Sequence, residues 1–243
     1  MADQEKIADE LNNRFGSAKP EEVISHFLQA YRGAVVFATS LGAEDQVLTR
    51  MISETRLPAR IITLDTGRLF EETYRLMDET SRKYSVAIEA FFPEQARVEE
   101  MVRRKGINLF YESVENRKMC CHIRKTESLE RALSGASVWI TGIRREQSVT
   151  RYGAAMVEWD RHYQLLKVNP LRDWTSGMVW ENIKKFEIPY NPLHDKGFPS
   201  IGCAPCTRAV PPGEDQRSGR WWWEQPENKE CGIHVPDQDK SSR

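Results

Sequence analysis

From residue 20 to about residue 142 the chain alternates segments of helical period with short β-branched runs, the mark of an α/β fold built on a parallel sheet. Pro20 opens a helix at the position where its missing N–H is tolerated. Val23, Ile24, Phe27, Leu28 and Tyr31 then share one face, and Gly33 is suited to stop it. The apolar run 34–38 reads as a strand buried on both faces. A polar turn, Thr39 to Asp45, leads into a helix carrying Val47, Leu48, Met51 and Ile52. Ile61 to Leu64 is the second strand and runs into Asp65-Thr66-Gly67-Arg68. Helical patterns near 70–84 and 94–104 flank a third strand at 86–92, and a helix around Cys121 to Leu133 precedes a fourth strand, Val138 to Thr141, ending at Gly142. Doubly wound, mostly parallel sheets bind ligands outside the carboxyl ends of their strands. The turns at 39–45, 65–68 and 142–151 are therefore expected to converge on a site.

Beyond residue 150 the pattern changes to a hairpin (154–160 and 164–168) and an amphipathic helix near 176–187 capped by Thr175. Residues 188–243 hold eight of the 12 prolines with little periodicity, which predicts an irregular extension ending in a mobile tail. With 243 residues, about 1.6 times a typical domain, the expected organisation is a single α/β domain over 1–210 and a C-terminal tail over 211–243.

Charge excludes some classes of partner. The 35 basic and 36 acidic residues leave a net charge of −1, which argues against nucleic-acid binding through bulk positive charge. No apolar run approaches the roughly 18 residues of a membrane span, and the opening residues Met1 to Lys6 lack the basic and apolar regions of a signal peptide. The expectation is a cytoplasmic protein with no membrane partner.

Five cysteines are an odd count that points to metal or catalysis rather than to disulfides. Cys120 and Cys121 are adjacent, Cys203 and Cys206 form a C-x-x-C pair, and Cys231 stands apart. Adjacent thiolates rarely reach one tetrahedral zinc, whose ligand spacing leaves two to four residues between them. An iron–sulfur cube offers a different iron to each thiolate and fits the four better. Zinc and buried, unligated thiols stand as the other readings.

Ser40-x-Gly42, between a strand and a helix, can aim N–H groups at a phosphate beside the helix N-terminus. Capping and turn geometry account for the same residues equally simply. Neither the Rossmann glycine pattern nor the P-loop pattern occurs. Arg144, Arg145 and Arg151 follow the fourth strand, and Arg217 and Arg220 come later; an arginine fork suits phosphate or sulfate, although most arginines are solvated surface charge. Asp65 either orders its own turn or contacts a ribose hydroxyl. Cys231, in Glu230-Cys231-Gly232-Ile233-His234, is a nucleophile if its thiolate lies exposed near positive charge, and an unremarkable terminal cysteine otherwise.

Over roughly residues 23–236 the chain resembles the thioredoxin-dependent assimilatory adenylylsulfate (APS/PAPS) reductases. The resemblance rests on Ser40-Leu41-Gly42-Ala43-Glu44-Asp45, Leu64-Asp65-Thr66-Gly67-Arg68, Cys120-Cys121-x-x-x-Lys125, Thr141-Gly142-x-Arg144-Arg145, Gly202-Cys203-x-x-Cys206-Thr207-Arg208, Gly219-Arg220-Trp221-Trp222 and Glu230-Cys231-Gly232-Ile233-His234. It implies an adenine nucleotide α-hydrolase-like fold and reduction of adenylyl sulfate to sulfite and AMP. Cys231 would attack the sulfate sulfur, leaving a thiosulfonate that thioredoxin resolves. Cys120, Cys121, Cys203 and Cys206 would hold a [4Fe-4S] cluster. Lys125, Arg144, Arg145, Arg151, Arg217 and Arg220 would face the substrate's phosphate and sulfate, and Ser40, Gly42, Asp65, Thr66, Gly67, Arg68 and Gly142 complete the implied substrate site. Retention of all four cysteines favours APS over the 3′-phosphorylated PAPS, with PAPS reduction or dual use as the alternative, and homo-oligomers occur among such proteins. Two rivals differ in observable ways. A cluster-bearing tRNA-thiolating enzyme calls for an S-G-G-x-D-S-type loop and a basic RNA face, and a zinc module would use Trp221 to Trp223 as a protein-binding patch.

Overall fold

The computed structural model describes residues 2–148, 151–225 and 232–233. The chain divides into two compact units, each assembled from three stretches. The first comprises Met1–Thr63, Thr73–Glu89 and Gly135–Asn191, the second Leu64–Glu72, Ala90–Ser134 and Pro192–Arg243.

A six-stranded sheet has the order β3-β2-β1-β4-β6-β5, formed by β1 (Val35–Thr39), β2 (Arg60–Leu64), β3 (Ile88–Phe91), β4 (Val138–Ile140), β5 (Val157–Asp160) and β6 (Leu165–Val168). β1 pairs in parallel with both β2 and β4, and β4 pairs in parallel with β6; β5 runs antiparallel to β6. The strand order reverses direction beside β1, as the doubly wound expectation requires. β4 is buried throughout, and Val35, Val36 and Phe37 of β1 are at most 3 % exposed, so the unbroken apolar runs are those of strands covered on both faces.

Around the sheet in the first unit lie α1 (Ala2–Phe15), α2 (Pro20–Ala30), α3 (Ala43–Thr55), α4 (Glu71–Tyr84) and, later in the chain, α8 (Ser176–Lys185); the second unit contains α5 (Gln95–Lys105), α6 (Val114–Cys121) and α7 (Glu127–Leu133). Val23, Ile24, Phe27 and Leu28 of α2 are completely buried, each contributing about 1.5–3 kcal/mol relative to exposure. Thr175 caps α8 by accepting from the Met178 N–H at 3.2 Å.

Three elements differ from the sequence reading. α1 is an additional helix, and Asn12 docks it by donating to the Val157 carbonyl (2.7 Å) while accepting from the Val157 N–H (3.0 Å). The third strand begins at Ile88 instead of residue 86, because the Val86 N–H closes the end of α4 on the Ser81 carbonyl and Ser85 turns left-handed at φ +52°. The cysteine-bearing helix starts at Val114, where Ser113 caps it by accepting from the Asn116 N–H, and not near Cys121. No helix among the described residues is long and apolar enough to cross a membrane.

Candidate functional site

In the first unit, the turn between β1 and α3 is built from the side chains of its own motif. Ser40 donates to Asp45 Oδ2 through both its backbone N–H and its hydroxyl, each at 2.6 Å. Leu41 is held left-handed at φ +58° with its N–H on Thr39 Oγ1, and Gly42 is the residue preceding α3. Glu44 and Asp45 lie in the first helical turn, where the helix dipole favours negative charge. Burial nevertheless raises the Asp45 carboxyl to about 6; the two Ser40 hydrogen bonds and the Arg151 charge only partly offset it, and Glu44 adds to the rise. Gly142, just after β4, packs so closely that a Cβ there would overlap the Asp45 carboxylate.

The arginines after β4 are engaged with protein. Arg144 is 1 % exposed and donates to Glu44 Oε1 (2.8 Å), Glu146 Oε2 (2.9 Å) and the Trp174 carbonyl (3.1 Å). Arg145 donates to the Ala154 carbonyl and to Asp173 Oδ1. Arg151 donates to Gln147 Oε1 at 2.6 Å. Ser40, Gly42, Gly142 and Arg144 thus meet through Asp45 and Glu44, two motif residues whose bracing role had no signature beyond their position in the turn.

In the second unit, Asp65 Oδ1 accepts from the Gly67 N–H at 2.8 Å, and Gly67 takes the φ of +71° that this turn requires. The turn grips the C-x-x-C segment: the Arg68 carbonyl accepts from the Ala204 N–H, and Thr66 Oγ1 lies 3.3 Å from Cys203 Sγ. Arg124 donates to the Thr66 carbonyl at 2.7 Å. The Arg68 side chain reaches the Ile107 carbonyl and Asn108 Oδ1, and its guanidinium lies 5.0 Å from the centre of the Phe110 ring.

Cys120 and Cys121 end α6 and are followed at once by a π-helical turn, His122–Thr126, before α7 resumes. Successive α-helical residues point about 100° apart, and both thiols still line a single cleft with Cys203 and Cys206, among Arg68, Arg117, Arg124, Lys125 and Phe110. None of the four described cysteines forms a disulfide. Burial raises Cys120, and it raises Cys206 to about 12 with the help of the neighbouring Cys203 charge. Burial also opposes ionisation of Cys203, but Lys125, the Thr66 hydroxyl, Arg220 and Arg124 together outweigh it and lower its pKa. Cys203 is therefore favoured as a thiolate, while Cys120 and Cys206 resist ionisation. Among the described residues, no three His, Cys, Asp or Glu side chains are disposed to hold a single metal ion.

Arg220 is nearly buried, donates to Ser200 Oγ and the Ile201 carbonyl, and fills the space where a Cβ on Gly202 would stand. The Arg217 N–H bonds Asp215 Oδ1. Cys231 lies outside the described residues, as do Glu230 and His234.

The sheet order, together with a serine–glycine turn leading into α3, defines a doubly wound α/β protein, and its likeness to a solved reductase structure gives the fold as adenine nucleotide α-hydrolase-like. The chain belongs to the phosphoadenosine phosphosulfate reductase domain family, whose model matches residues 34–209. It is 55 % identical over 201 residues to the adenosine 5′-phosphosulfate reductase of Allochromatium vinosum, covering 83 % of this chain and 78 % of the relative. It is 53 % identical over 201 residues to the Burkholderia cepacia protein of the same name, covering 83 % and 80 %. The crystal structure of phosphoadenylyl-sulfate (PAPS) reductase from Candida auris superposes with a TM-score of 0.71 at 27 % identity, over 84 % of this chain and 96 % of that one.

Proposed function

We propose that this chain reduces adenosine 5′-phosphosulfate to sulfite and AMP in cytoplasmic sulfate assimilation, with thioredoxin as reductant. The observation that carries the reading is the cleft in which two cysteine pairs meet four basic side chains, in a chain 55 % and 53 % identical over 201 residues to proteins named adenosine 5′-phosphosulfate reductase.

In this mechanism the Cys231 thiolate attacks the sulfate sulfur. The bond from sulfur to the bridging oxygen breaks, its electron pair leaves with AMP, and Cys231 carries the sulfonate. A thioredoxin thiolate then attacks the Cys231 sulfur and expels sulfite, and the second thioredoxin thiol resolves the mixed disulfide. The sulfur gains two electrons and thioredoxin loses two. Thiolate attack on an anionic group needs cations to offset the repulsion. In this reading Lys125, Arg151, Arg217 and Arg220 supply them, while Ser40, Gly42 and the N-terminus of α3 receive phosphate. Asp65 orders its turn and offers its remaining acceptor capacity to a ribose hydroxyl. Arg144 and Arg145 serve as braces for the loops they join, consistent with their protein partners.

The donor set suits a [4Fe-4S] cluster. Cys120, Cys121, Cys203 and Cys206 would each hold one iron, and thiols that resist joint ionisation gain the positive charge they require when metal binds. When bound, the cluster supplies a compact charged group, which Lys125 couples to the substrate's sulfate.

Anaerobic incubation with APS, without thioredoxin, followed by peptide mass spectrometry tests the reading. A sulfonate adduct on the Cys231 peptide is the expected result, with PAPS as the parallel sample. Labelling by PAPS as well would widen the substrate class, and absence of any adduct in iron-loaded protein would overturn the covalent mechanism.

A further inference from the structure

Arg117 and Glu224 form an ion pair whose side chains are 0 % and 2 % exposed. The contact is a two-pronged fork, Nε to Oε1 at 2.9 Å and Nη2 to Oε2 at 2.7 Å, between residues more than a hundred positions apart in sequence. Arg117 lines the thiol cleft, but neither residue is given a contact with the substrate or the reacting sulfur in the reading above. Burying such a pair adds little stability compared with apolar side chains of the same shape, because desolvation offsets the attraction. What a fork does supply is a fixed distance and angle.

The pair sits on the path that joins the two cysteine pairs. Arg117 lies one helical turn before Cys121 and also hydrogen-bonds its sulfur. Its guanidinium stacks 4.8 Å from the centre of the Trp221 ring. The Glu224 N–H closes a turn on the Trp221 carbonyl, and the Trp221 N–H bonds the Cys206 carbonyl. Cys121, Arg117, Glu224, Trp221 and Cys206 are thereby connected by an unbroken series of directed contacts.

We propose that the Arg117–Glu224 pair is a positioning device: it locks the helix bearing Cys120 and Cys121 to the segment that leaves Cys206, and it fixes the point from which the chain runs on to Cys231. The proposal rests on the reading of the four thiols as iron ligands and of Cys231 as nucleophile. Cys231 follows Glu224 by seven residues (231 − 224), at most about 25 Å of extended chain. Displacing Glu224 would displace the origin of that whole reach.

The test compares wild-type holoenzyme with Arg117→Lys, which keeps the charge but loses the fork, and with the double variant Arg117→Met/Glu224→Leu, which fills the space without charge. Three quantities are read: the melting temperature, the rate of iron release to a ferrous chelator, and the rate of maleimide labelling of Cys120, Cys121, Cys203 and Cys206 by peptide mass spectrometry. The double variant is expected to melt close to wild type yet to release iron about 10- to 100-fold faster, if the loss of metal affinity on removing a partner of a metal ligand falls on the release step, with its four thiols labelled correspondingly faster. Arg117→Lys should behave in the same way, and it decides the matter alone if the double variant does not fold. Iron release and labelling indistinguishable from wild type in a folded variant would overturn the proposal. Wild-type protein without iron would remove the cluster reading, while the labelling rates would still decide the role of the pair.

Discussion

Ser40 gives Asp45 two hydrogen bonds, one from its backbone and one from its hydroxyl, and in doing so makes a buried carboxylate the keystone of the turn ahead of α3. The carboxyl titrates near 6 in the folded protein against 3.8 for an ordinary aspartate, mainly because of burial. A raised carboxyl pKa means that the folded state holds its proton more tightly than the unfolded chain. The resulting contribution is fully present below about pH 4 and is lost as pH rises through about 6, by up to about 3 kcal/mol. Asp45→Asn should abolish that slope in melting temperature between pH 4 and 7; an unchanged pH profile would show that another group carries it.

Gly142→Ala places a methyl group against the Asp45 carboxylate. Overpacking of this kind costs about 1–3 kcal/mol, and here the strain falls on the turn proposed to receive phosphate. A rise of about ten-fold in KM for the nucleotide, larger than any accompanying fall in kcat, is the expected pattern. Wild-type KM in the folded variant would mean that the turn does not contact substrate.

Lys125 lines the thiol cleft and favours the Cys203 thiolate. Lys125→Ala should retain iron and sulfide but lose about 10²-fold in turnover, the scale of removing one preorganised electrostatic group. Full turnover with an intact iron content would remove Lys125 from the mechanism.

In protein treated anaerobically with a chelator, Cys203 should be alkylated by iodoacetamide at neutral pH ahead of Cys120 and Cys206, since the thiolate is the reactive form. Time-resolved peptide mapping reads the order directly. Equal rates at these positions would contradict the electrostatics of the cleft.

The run at 34–38 was readable as a strand because both of its faces are covered, leaving Val35, Val36 and Phe37 buried in succession. α1 was not, because the contact that secures it joins Asn12 to Val157, and a polar side chain meeting a distant backbone has no local period. The cysteines were conspicuous through adjacency and spacing. Arg144, by contrast, looked like a fork for an anion in solvent, while in the structure Glu44, exactly the kind of partner that spacing does not announce, lies across from it one hundred residues earlier. Arg117 and Glu224 were silent for the same reason: a long-range ion pair is indistinguishable in sequence from two solvated charges.

The π-helical turn at His122–Thr126 amounts to one residue more than a regular helix would use there. The wider turn absorbs the extra residue locally, so deleting one residue there would let the backbone run through as a uniform helix with α7 in nearly the same phase. Leu129, Ala132 and Leu133 would keep the faces on which they are buried, and the change would fall on the side chains of the turn itself, Lys125 among them. The turn is therefore where this helix can change length by one residue without disturbing α7, and what such a change would cost is the aim of Lys125 into the thiol cleft.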